Sequence, residues 1–308
     1  MRNAFASEIT RLADVLPELV LLAGDIGNRL FDRFKEKHPM RFYNCGVAEA
    51  GMTGMAAGLA SAGLLPVTYT ITPFNTLRCL EQIRVDICYP NLPVVIVGTG
   101  AGLSYANLGA THHSMEDIAL LRVLPNMQVI CPGDAVEVKL AIEQALLMRK
   151  PTYIRIGKKG EPLVHHTPPV FEIGKGIQIR DGMDIAILAV GNMLAPAVET
   201  AELLSNRGVS ARVISLHTVK PLDAALLAYL FESFPLIAVM EEHSLTGGAT
   251  SAILEWACTY GKDARKLCPF AGPDRFLTGC GEQDEARESL GLIPSAMSRK
   301  LLDRFAAL

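Results

Sequence analysis

The sequence predicts two α/β domains in series, each built on a mainly parallel sheet. Three observations support this prediction. Apolar, β-branched runs alternate with helical patterns up to about residue 160. A segment rich in Pro, Gly and charge follows, and the alternation then resumes. Continuous apolar strands separated by helices are typical of parallel sheets that are covered on both faces.

The first domain is expected over residues 1–160. Short apolar runs that end at Gly, Pro or Asp turns predict its strands, in LVLLAGD, LPVTYTI, LPVVIVGTGAG, NMQVICPGD and PTYIRIG. Helical patterns lie between them, in MTGMAAGLASAG, NTLRCLEQIRVDICY, SMEDIALLRVL and DAVEVKLAIEQALLMR. Because helices separate consecutive strands, we expect the strands to run parallel to one another.

Residues 161–180 are expected to form a linker with a short hairpin, because this stretch is rich in Pro, Gly and charge and has no helical period. Residues 181–308 return to the alternation and predict a second, smaller α/β domain. Its strands are predicted in DIAILAVG, VSARVISLHTVKPLD and PLIAVMEEHS, and its helices in LAPAVETAELLSNRG, AALLAYLFESF and GGATSAILEWACTYG.

Composition narrows the class of protein. Hydrophobic residues make up 50% of the chain and charged residues 20%, which suits large cores and a buried interface with another chain. A net charge of −3 gives no basic surface for nucleic acid. Seven cysteines without a CxxC pair indicate a reduced, cytoplasmic chain. No run approaches the about 20 apolar residues that a membrane span needs, so no membrane partner is expected.

One carboxylate stands out in RFYNCGVAEAGMTGMAAGLASAG, residues 41–63. Glu49 lies where the pattern turns helical, and the following residues offer almost no polar face. A glutamate at a helix start can simply complement the exposed amides of the first turn. A helix that is apolar all round is buried, however, and a buried carboxylate must be paired, protonated or used in chemistry. A heteroaromatic ring nitrogen facing Glu49 would satisfy that requirement.

The same segment resembles the transketolase family's pattern RF-x-x-x-G-[IV]-x-E-x-x-M, followed by a helix of small residues. The resemblance continues in order through RCLEQIRVDICYPNLPVVIVGTGAGLSYANLGATHHSMEDIALLRVLPNMQVICPGDAVE, ISLHTVKPLD and EEHSLTGG. The chain is similar to the C-terminal half of a transketolase, which comprises a pyrimidine-binding domain and a C-terminal domain. Some bacteria make this half as a separate subunit.

The resemblance implies thiamine diphosphate chemistry, in which a two-carbon ketol unit passes from a ketose to an aldehyde. The glutamate that matches Glu49 is catalytic and also binds the cofactor, because it hydrogen-bonds the pyrimidine ring nitrogen opposite the amino group. The cofactor supplies the electron sink, and the protein supplies orientation and proton control.

Other matching positions are expected near the cofactor and substrate. Phe74 matches an aromatic that stacks on the aminopyrimidine, Ile71 replaces a second aromatic, and Tyr69 could assist in its place. Asp25 matches an aspartate beside the cofactor at the boundary between two subunits. His112 matches a histidine that polarises or protonates substrate oxygens. Structural roles stay open at these positions, since a lone aromatic is often a core residue and an Asp after a strand often caps a turn.

Three substrate-binding positions depart from the family pattern. Leu108 stands where many members have Asp, and Gly100 stands where they often have His. Lys158 replaces a phosphate-binding Arg, so an anion would meet a point charge instead of a guanidinium fork. These departures put the usual sugar-phosphate specificity in doubt, and we expect an unusual sugar as donor or acceptor.

The family holds the cofactor's diphosphate through Mg²⁺, or Ca²⁺, at a GDG motif followed by Asn, and no GDG occurs here. The His112–His113 pair lacks a third ligand, so no metal site is predicted in this chain. We therefore expect a separate N-terminal transketolase subunit to hold the metal, in a heterotetramer that includes a homodimeric contact. Two alternatives are the beta chain of a 2-oxo-acid dehydrogenase and a non-catalytic structural partner.

Overall fold

The first half of the chain supplies six of the seven strands of one sheet, which has helices on both faces. The computed structural model describes residues 1–27, 29–158, 160–279 and 281–308. The elements up to residue 156 are α1 (Arg2–Val15), β1 (Leu19–Ala23), α2 (Asp32–Lys37), β2 (Phe42–Asn44), α3 (Glu49–Ser61), β3 (Leu65–Ile71), α4 (Thr72–Asn75), α5 (Leu80–Gln82), β4 (Val95–Thr99), α6 (Asp117–Arg122), β5 (Gln128–Ile130), α7 (Ala135–Met148) and β6 (Thr152–Ile156).

The second half forms a five-stranded sheet and contributes one further strand, β10, to the first sheet. Its elements are β7 (Ile177–Arg180), β8 (Ile185–Ala189), α8 (Leu194–Ser205), β9 (Ala211–Ser215), β10 (Thr218–Lys220), α9 (Ala224–Ser233), β11 (Leu236–Ser244), α10 (Ala249–Thr259), β12 (Leu267–Gly272), α11 (Gln283–Ser289) and α12 (Pro294–Ala306).

The two sheets confirm the predicted fold class. The first has the strand order β10-β5-β6-β4-β3-β1-β2, and the second has the order β12-β11-β8-β9-β7. Among the described strands, only β10 of the first sheet and β7 of the second run antiparallel to their neighbours. The central strands of each sheet are buried along their whole length, which is why they appear in the sequence as continuous apolar runs.

Three local expectations were wrong. Within residues 161–180, all of which the structure describes, there is no hairpin, because β7 pairs with β9 of the second sheet. The segment expected to continue β9 instead forms β10, which crosses to the first sheet and pairs with β5. The helix expected in NTLRCLEQIRVDICY is broken into short turns and ends in a π-helix over Ile83–Cys88.

The two halves share one apolar core. A single cluster of buried side chains includes Leu121 and Val129 from the first half and Val190, Leu216 and Val219 from the second. The second half can therefore position loops of the first. Among the described residues, no helix is long and apolar enough to cross a membrane.

Candidate active site

The candidate site lies at the carboxyl edge of the first sheet. Strands β1, β3, β4 and β6 are parallel neighbours, and their carboxyl ends lie side by side. Ala23 at the end of β1 is opposite Tyr69, two residues before the end of β3, while Ile71, Thr99 and Ile156 end their strands in register. The loops that follow these strands therefore meet at one edge. Ligands of open α/β sheets bind at this edge.

Glu49 is the first residue of α3, as expected, and its side chain is only 2% exposed. The bare backbone of Gly24, just after β1, leaves room for it. A Cβ at position 24 would lie 3.3 Å from Glu49 Cγ and 3.0 Å from Thr70 Cβ. A glycine after β1 thus allows the carboxylate to be inserted between the ends of β1 and β3.

Arg78 supplies the counter-charge of this buried carboxylate. Its Nη1 donates to Glu49 Oε2 at 2.6 Å, and its guanidinium carbon lies 4.4 Å from the centroid of the Phe74 ring. The arginine side chain is 44% exposed, so the ion pair joins a buried carboxylate to a cation at the surface. The second oxygen, Oε1, accepts no hydrogen bond from the described residues, which leaves one acceptor for a ligand.

A row of side chains continues from Phe74 along the sheet edge. The ring of His112 lies 5.2 Å from that of Phe74 and 5.9 Å from that of Tyr105. Lys158 Nζ lies 4.5 Å from the centroid of the Tyr105 ring. The structure therefore places Glu49, Phe74, His112 and Lys158 in one row of neighbouring side chains, although they come from four separate segments of the chain.

Glu242 of the second domain and Arg155 of β6 hold the two ends of the loop that carries His112. The buried carboxylate of Glu242 accepts from the backbone N–H of Leu103 at 2.5 Å and from Arg287 Nε at 2.7 Å. Arg155 Nη2 donates to the carbonyl oxygens of Ser114 and Glu242 at 2.8 and 2.9 Å. Residues 103–114 are thus clamped at each end by charge-assisted hydrogen bonds, the stronger kind.

His112 is held in its neutral form near pH 7. Burial lowers the pKa of its imidazole below the usual 6.5, and the neighbouring His113 lowers it further. Its Nδ1 lies 2.9 Å from the hydroxyl of Thr111. A neutral imidazole at this position can donate or accept one proton at the oxygen of a bound molecule.

This shift gives a pH prediction. Because the pKa of His112 is lowered, it should become protonated only below pH 6.5, so the kcat/KM of any reaction that uses the neutral imidazole should fall on the acid side of that value. Replacing His112 with Asn should lower kcat/KM and remove this acidic limb. The exposed His166 offers a matched His→Asn control, which should keep both the rate and the limb. A limb that persists unchanged in His112→Asn would assign the titration to another group.

The other predicted site residues lie at the same edge but differ in surroundings. Asp25 is exposed and accepts from Asn44 Nδ2 at 3.0 Å. Ile71 is the half-buried last residue of β3, and Leu108 is 49% exposed on the His112 loop. Gly100 has φ +83°, and a Cβ there would overlap the Tyr105 ring. The Tyr105 ring therefore occupies the space that a side chain at position 100 would need.

The suggestion that Tyr69 assists in stacking the cofactor was wrong. Tyr69 is fully buried on the other face of the sheet, where it stacks on Phe5 at 5.3 Å and meets Phe31 edge-on at 5.0 Å.

Sequence reasoning also missed Arg78 and Tyr105. Arg78 follows Phe74 by four residues, and a helical turn would have placed the two on one face.

No metal-binding cluster is present among the described residues, since no group of three or more His, Cys, Asp or Glu side chains converges. The candidate site therefore consists of one buried carboxylate, two aromatic rings, a neutral imidazole and two cations. This arrangement can bind a planar heteroaromatic ring and control protons, and a polar, hydroxylated substrate could contact the imidazole.

Comparisons with known proteins show the family of this chain. The family described as "Transketolase, pyrimidine binding domain" matches residues 1–161, and "Transketolase, C-terminal domain" matches residues 174–295. The chain is 33% identical over 306 residues to a putative transketolase C-terminal section of Methanocaldococcus jannaschii, covering 98% of this chain and 95% of that protein.

Two further matches extend the comparison. The chain is 32% identical over 256 residues to one subunit of the apulose-4-phosphate transketolase of Phocaeicola vulgatus, covering 82% of each protein. A solved structure described as a split gene transketolase, inactive beta4 tetramer, superposes with a TM-score of 0.89 at 34% identity, covering 99% of this chain and 98% of the other. The protein therefore belongs to the transketolase family and carries its pyrimidine-binding and C-terminal domains in one chain.

Proposed function

We propose that this chain is the C-terminal subunit of a two-component transketolase that depends on thiamine diphosphate. It would transfer a two-carbon ketol unit from a ketose to an aldehyde. The observation that carries the proposal is Glu49, a carboxylate that is 2% exposed, lies at the carboxyl edge of a parallel sheet and has Oε1 free of protein donors among the described residues.

The residues present fit the pyrimidine half of this cofactor. A buried acceptor, Glu49 Oε1, lies close to an aromatic ring, Phe74, which can stack on a planar heterocycle. When bound, thiamine diphosphate supplies the carbanion stabilisation that ketol transfer needs. Glu49 would hold a proton at the pyrimidine ring nitrogen, and Phe74, Ile71 and Asp25 would bind and orient the ring.

The remaining site residues would face the sugar. His112 would exchange a proton with substrate oxygens, for which its neutral imidazole is suited by its lowered pKa. Lys158, beside Tyr105, would attract an anionic or hydroxylated end of the substrate, and Gly100 and Leu108 would shape the channel.

We further propose the domain limits 1–160 and 181–308, with residues 161–180 between them.

Features of the surface around Glu49 favour the proposal that a partner chain binds there. Three glycines on α3 face open space, because a Cβ built at Gly51, Gly54 or Gly58 would meet no atom within 4 Å. The large apolar side chains Val47 and Met55 are exposed beside them. Small residues that the chain's own packing does not require allow another backbone to approach closely, and exposed apolar patches mark interaction sites.

That partner is proposed to carry the diphosphate site and its Mg²⁺ or Ca²⁺. The relative from Phocaeicola vulgatus is named as one subunit of a transketolase, and the solved structure of the split gene transketolase is described as an inactive beta4 tetramer. Both descriptions suit a chain that needs a second kind of subunit. We propose two copies of each subunit, with the cofactor at their interfaces and a contact between the two copies of this chain.

Reconstitution tests this proposal. The purified chain should show no ketol transfer alone with thiamine diphosphate and Mg²⁺, and should gain it on mixing with a GDG-containing partner, with co-elution on size-exclusion chromatography. Full activity of the chain alone would contradict the two-component arrangement. Transfer of acyl groups only to a lipoyl carrier, without ketose–aldehyde exchange, would instead identify a component of a 2-oxo-acid dehydrogenase.

A further inference from the structure

We propose that Arg78 occupies the place of the pyrimidine ring in the chain by itself, and that it leaves Phe74 when thiamine diphosphate binds. Since this exchange involves the cofactor, it rests on the proposed function. It adds a step that limits cofactor binding, and it identifies the side chain that has to move.

Arg78 makes the two kinds of contact that a bound pyrimidine ring would make. Its Nη1 donates a hydrogen bond of 2.6 Å to Glu49 Oε2. Its guanidinium carbon lies 4.4 Å from the centroid of the Phe74 ring, well within the about 6 Å over which a cation contacts an aromatic face. A guanidinium is planar, delocalised and rich in N–H donors, so it resembles a flat nitrogen heterocycle in shape and in hydrogen bonding.

The guanidinium and the pyrimidine ring compete for one space. A ring that contacts both the Glu49 carboxylate and the face of Phe74 must lie between these two side chains, where Arg78 lies in this structure. The imidazole of His112 meets the Phe74 ring at an angle of 72°, with centroids 5.2 Å apart, so another part of the aromatic ring is covered as well. Arg78 therefore has to move before a pyrimidine ring can stack on Phe74.

The surroundings of Arg78 allow this movement. Its side chain is 44% exposed, whereas that of Glu49 is 2% exposed. Among the described residues, the Arg78 side chain hydrogen-bonds Glu49 alone. It is carried by a single turn, Leu77–Cys79, within the broken segment after β3. A long, half-exposed side chain on such a turn can swing into solvent without any change in the sheet.

The burial of Glu49 couples the departure of Arg78 to the arrival of the ring. A buried carboxylate that loses its partner is left uncompensated, which costs free energy. Arg78 therefore stays in place until another donor, the protonated ring nitrogen, reaches Glu49. A site that is open in only a fraction of the molecules binds its ligand more weakly by that same fraction. Arg78 thus lowers the affinity for the cofactor and keeps Glu49 paired until the cofactor arrives.

Calorimetry measures this exchange without turnover. The titration adds thiamine diphosphate and Mg²⁺ to the complex of this chain with a GDG-containing partner. Arg78→Ala should lower the dissociation constant at least about threefold, the factor that corresponds to the loss of one exposed cation–π contact. Arg78→Met keeps the length of the side chain without its charge, and should lower the constant in the same way if the alanine variant folds poorly. Arg207→Ala removes an exposed arginine of the second domain and should leave the constant unchanged.

A crystal structure of the loaded wild-type complex gives a second readout. The guanidinium carbon of Arg78 should lie more than about 6 Å from the centroid of the Phe74 ring. A guanidinium still at 4.4 Å, or a dissociation constant that rises or stays the same in both Arg78 variants, would overturn the proposal. Saturable cofactor binding in those cases would leave the proposed function standing. No saturable binding by the wild-type complex would contradict the proposed function itself, and this exchange with it.

Discussion

Replacing Glu49 with Gln is expected to lower kcat of the reconstituted enzyme by about 10²–10⁴-fold, the range that a positioned proton-transfer group contributes. Gln keeps the length and shape of the side chain but cannot carry the negative charge that Arg78 now balances at 2.6 Å. The loss should therefore fall on catalysis, with the fold and the assembly preserved. Steady-state rates of ketose–aldehyde exchange, measured with saturating thiamine diphosphate, give the comparison.

A matched control variant shows whether a loss of activity comes from the missing Glu49 carboxylate or from general damage to the fold. Glu202 is an exposed glutamate on α8 of the second domain, and Glu202→Gln should keep wild-type rates. Size-exclusion chromatography should show that both variants still assemble with the partner. Wild-type activity in Glu49→Gln would instead favour the hypothesis that the chain is a non-catalytic, structural partner of an enzyme.

Replacing Asp117 with Ala is expected to destabilise the chain by about 3–5 kcal/mol, the cost of breaking a buried ion pair from one side. Asp117 Oδ2 accepts from Arg155 Nε at 2.7 Å and from the Tyr153 hydroxyl at 2.6 Å, and all three side chains are buried. Burial alone would raise the pKa of Asp117, but the charges of Arg155 and His243 and the hydrogen bonds from Arg155 and Tyr153 together outweigh it and hold that pKa below its usual value.

Urea unfolding monitored by circular dichroism measures this effect. Asp181 pairs with Arg212 at the exposed surface, so Asp181→Ala should change the unfolding midpoint little. Because Arg155 also donates to Ser114 and Glu242, the Asp117 variant should lose activity together with stability as the His112 loop loosens. A loss of stability below about 1 kcal/mol would show that Arg155 finds other partners.

The main strands were predictable because they are buried on both faces and so appear as continuous apolar runs. The strands that sequence reasoning missed lie at sheet edges. β2 has only three residues and is largely exposed, and β12 contains Pro269, which an edge strand tolerates. β10 was assigned to the wrong sheet, because the crossing between domains depends on tertiary pairing that no local pattern encodes.

The candidate site, too, could be predicted from the sequence only in part. The start of α3 at Glu49 and the burial of its carboxylate follow from local composition, and the resemblance selected Phe74, His112 and Lys158. The pairing of Glu49 with Arg78 depends on how the broken helical segment after β3 folds back toward α3. The clamp by Glu242 joins residues that are 139 positions apart in the chain, so only the folded structure could reveal it.

The central claim is that Glu49 faces the pyrimidine ring of thiamine diphosphate at an interface between two polypeptides. A crystal structure of the reconstituted complex with bound thiamine diphosphate tests it most directly. We predict Glu49 Oε1 at a hydrogen-bonding distance of about 2.6–3.0 Å from a pyrimidine ring nitrogen, with Phe74 against the ring. A cofactor bound elsewhere, or a Glu49 carboxylate that contacts only Arg78 while the ring lies out of reach, would contradict the account.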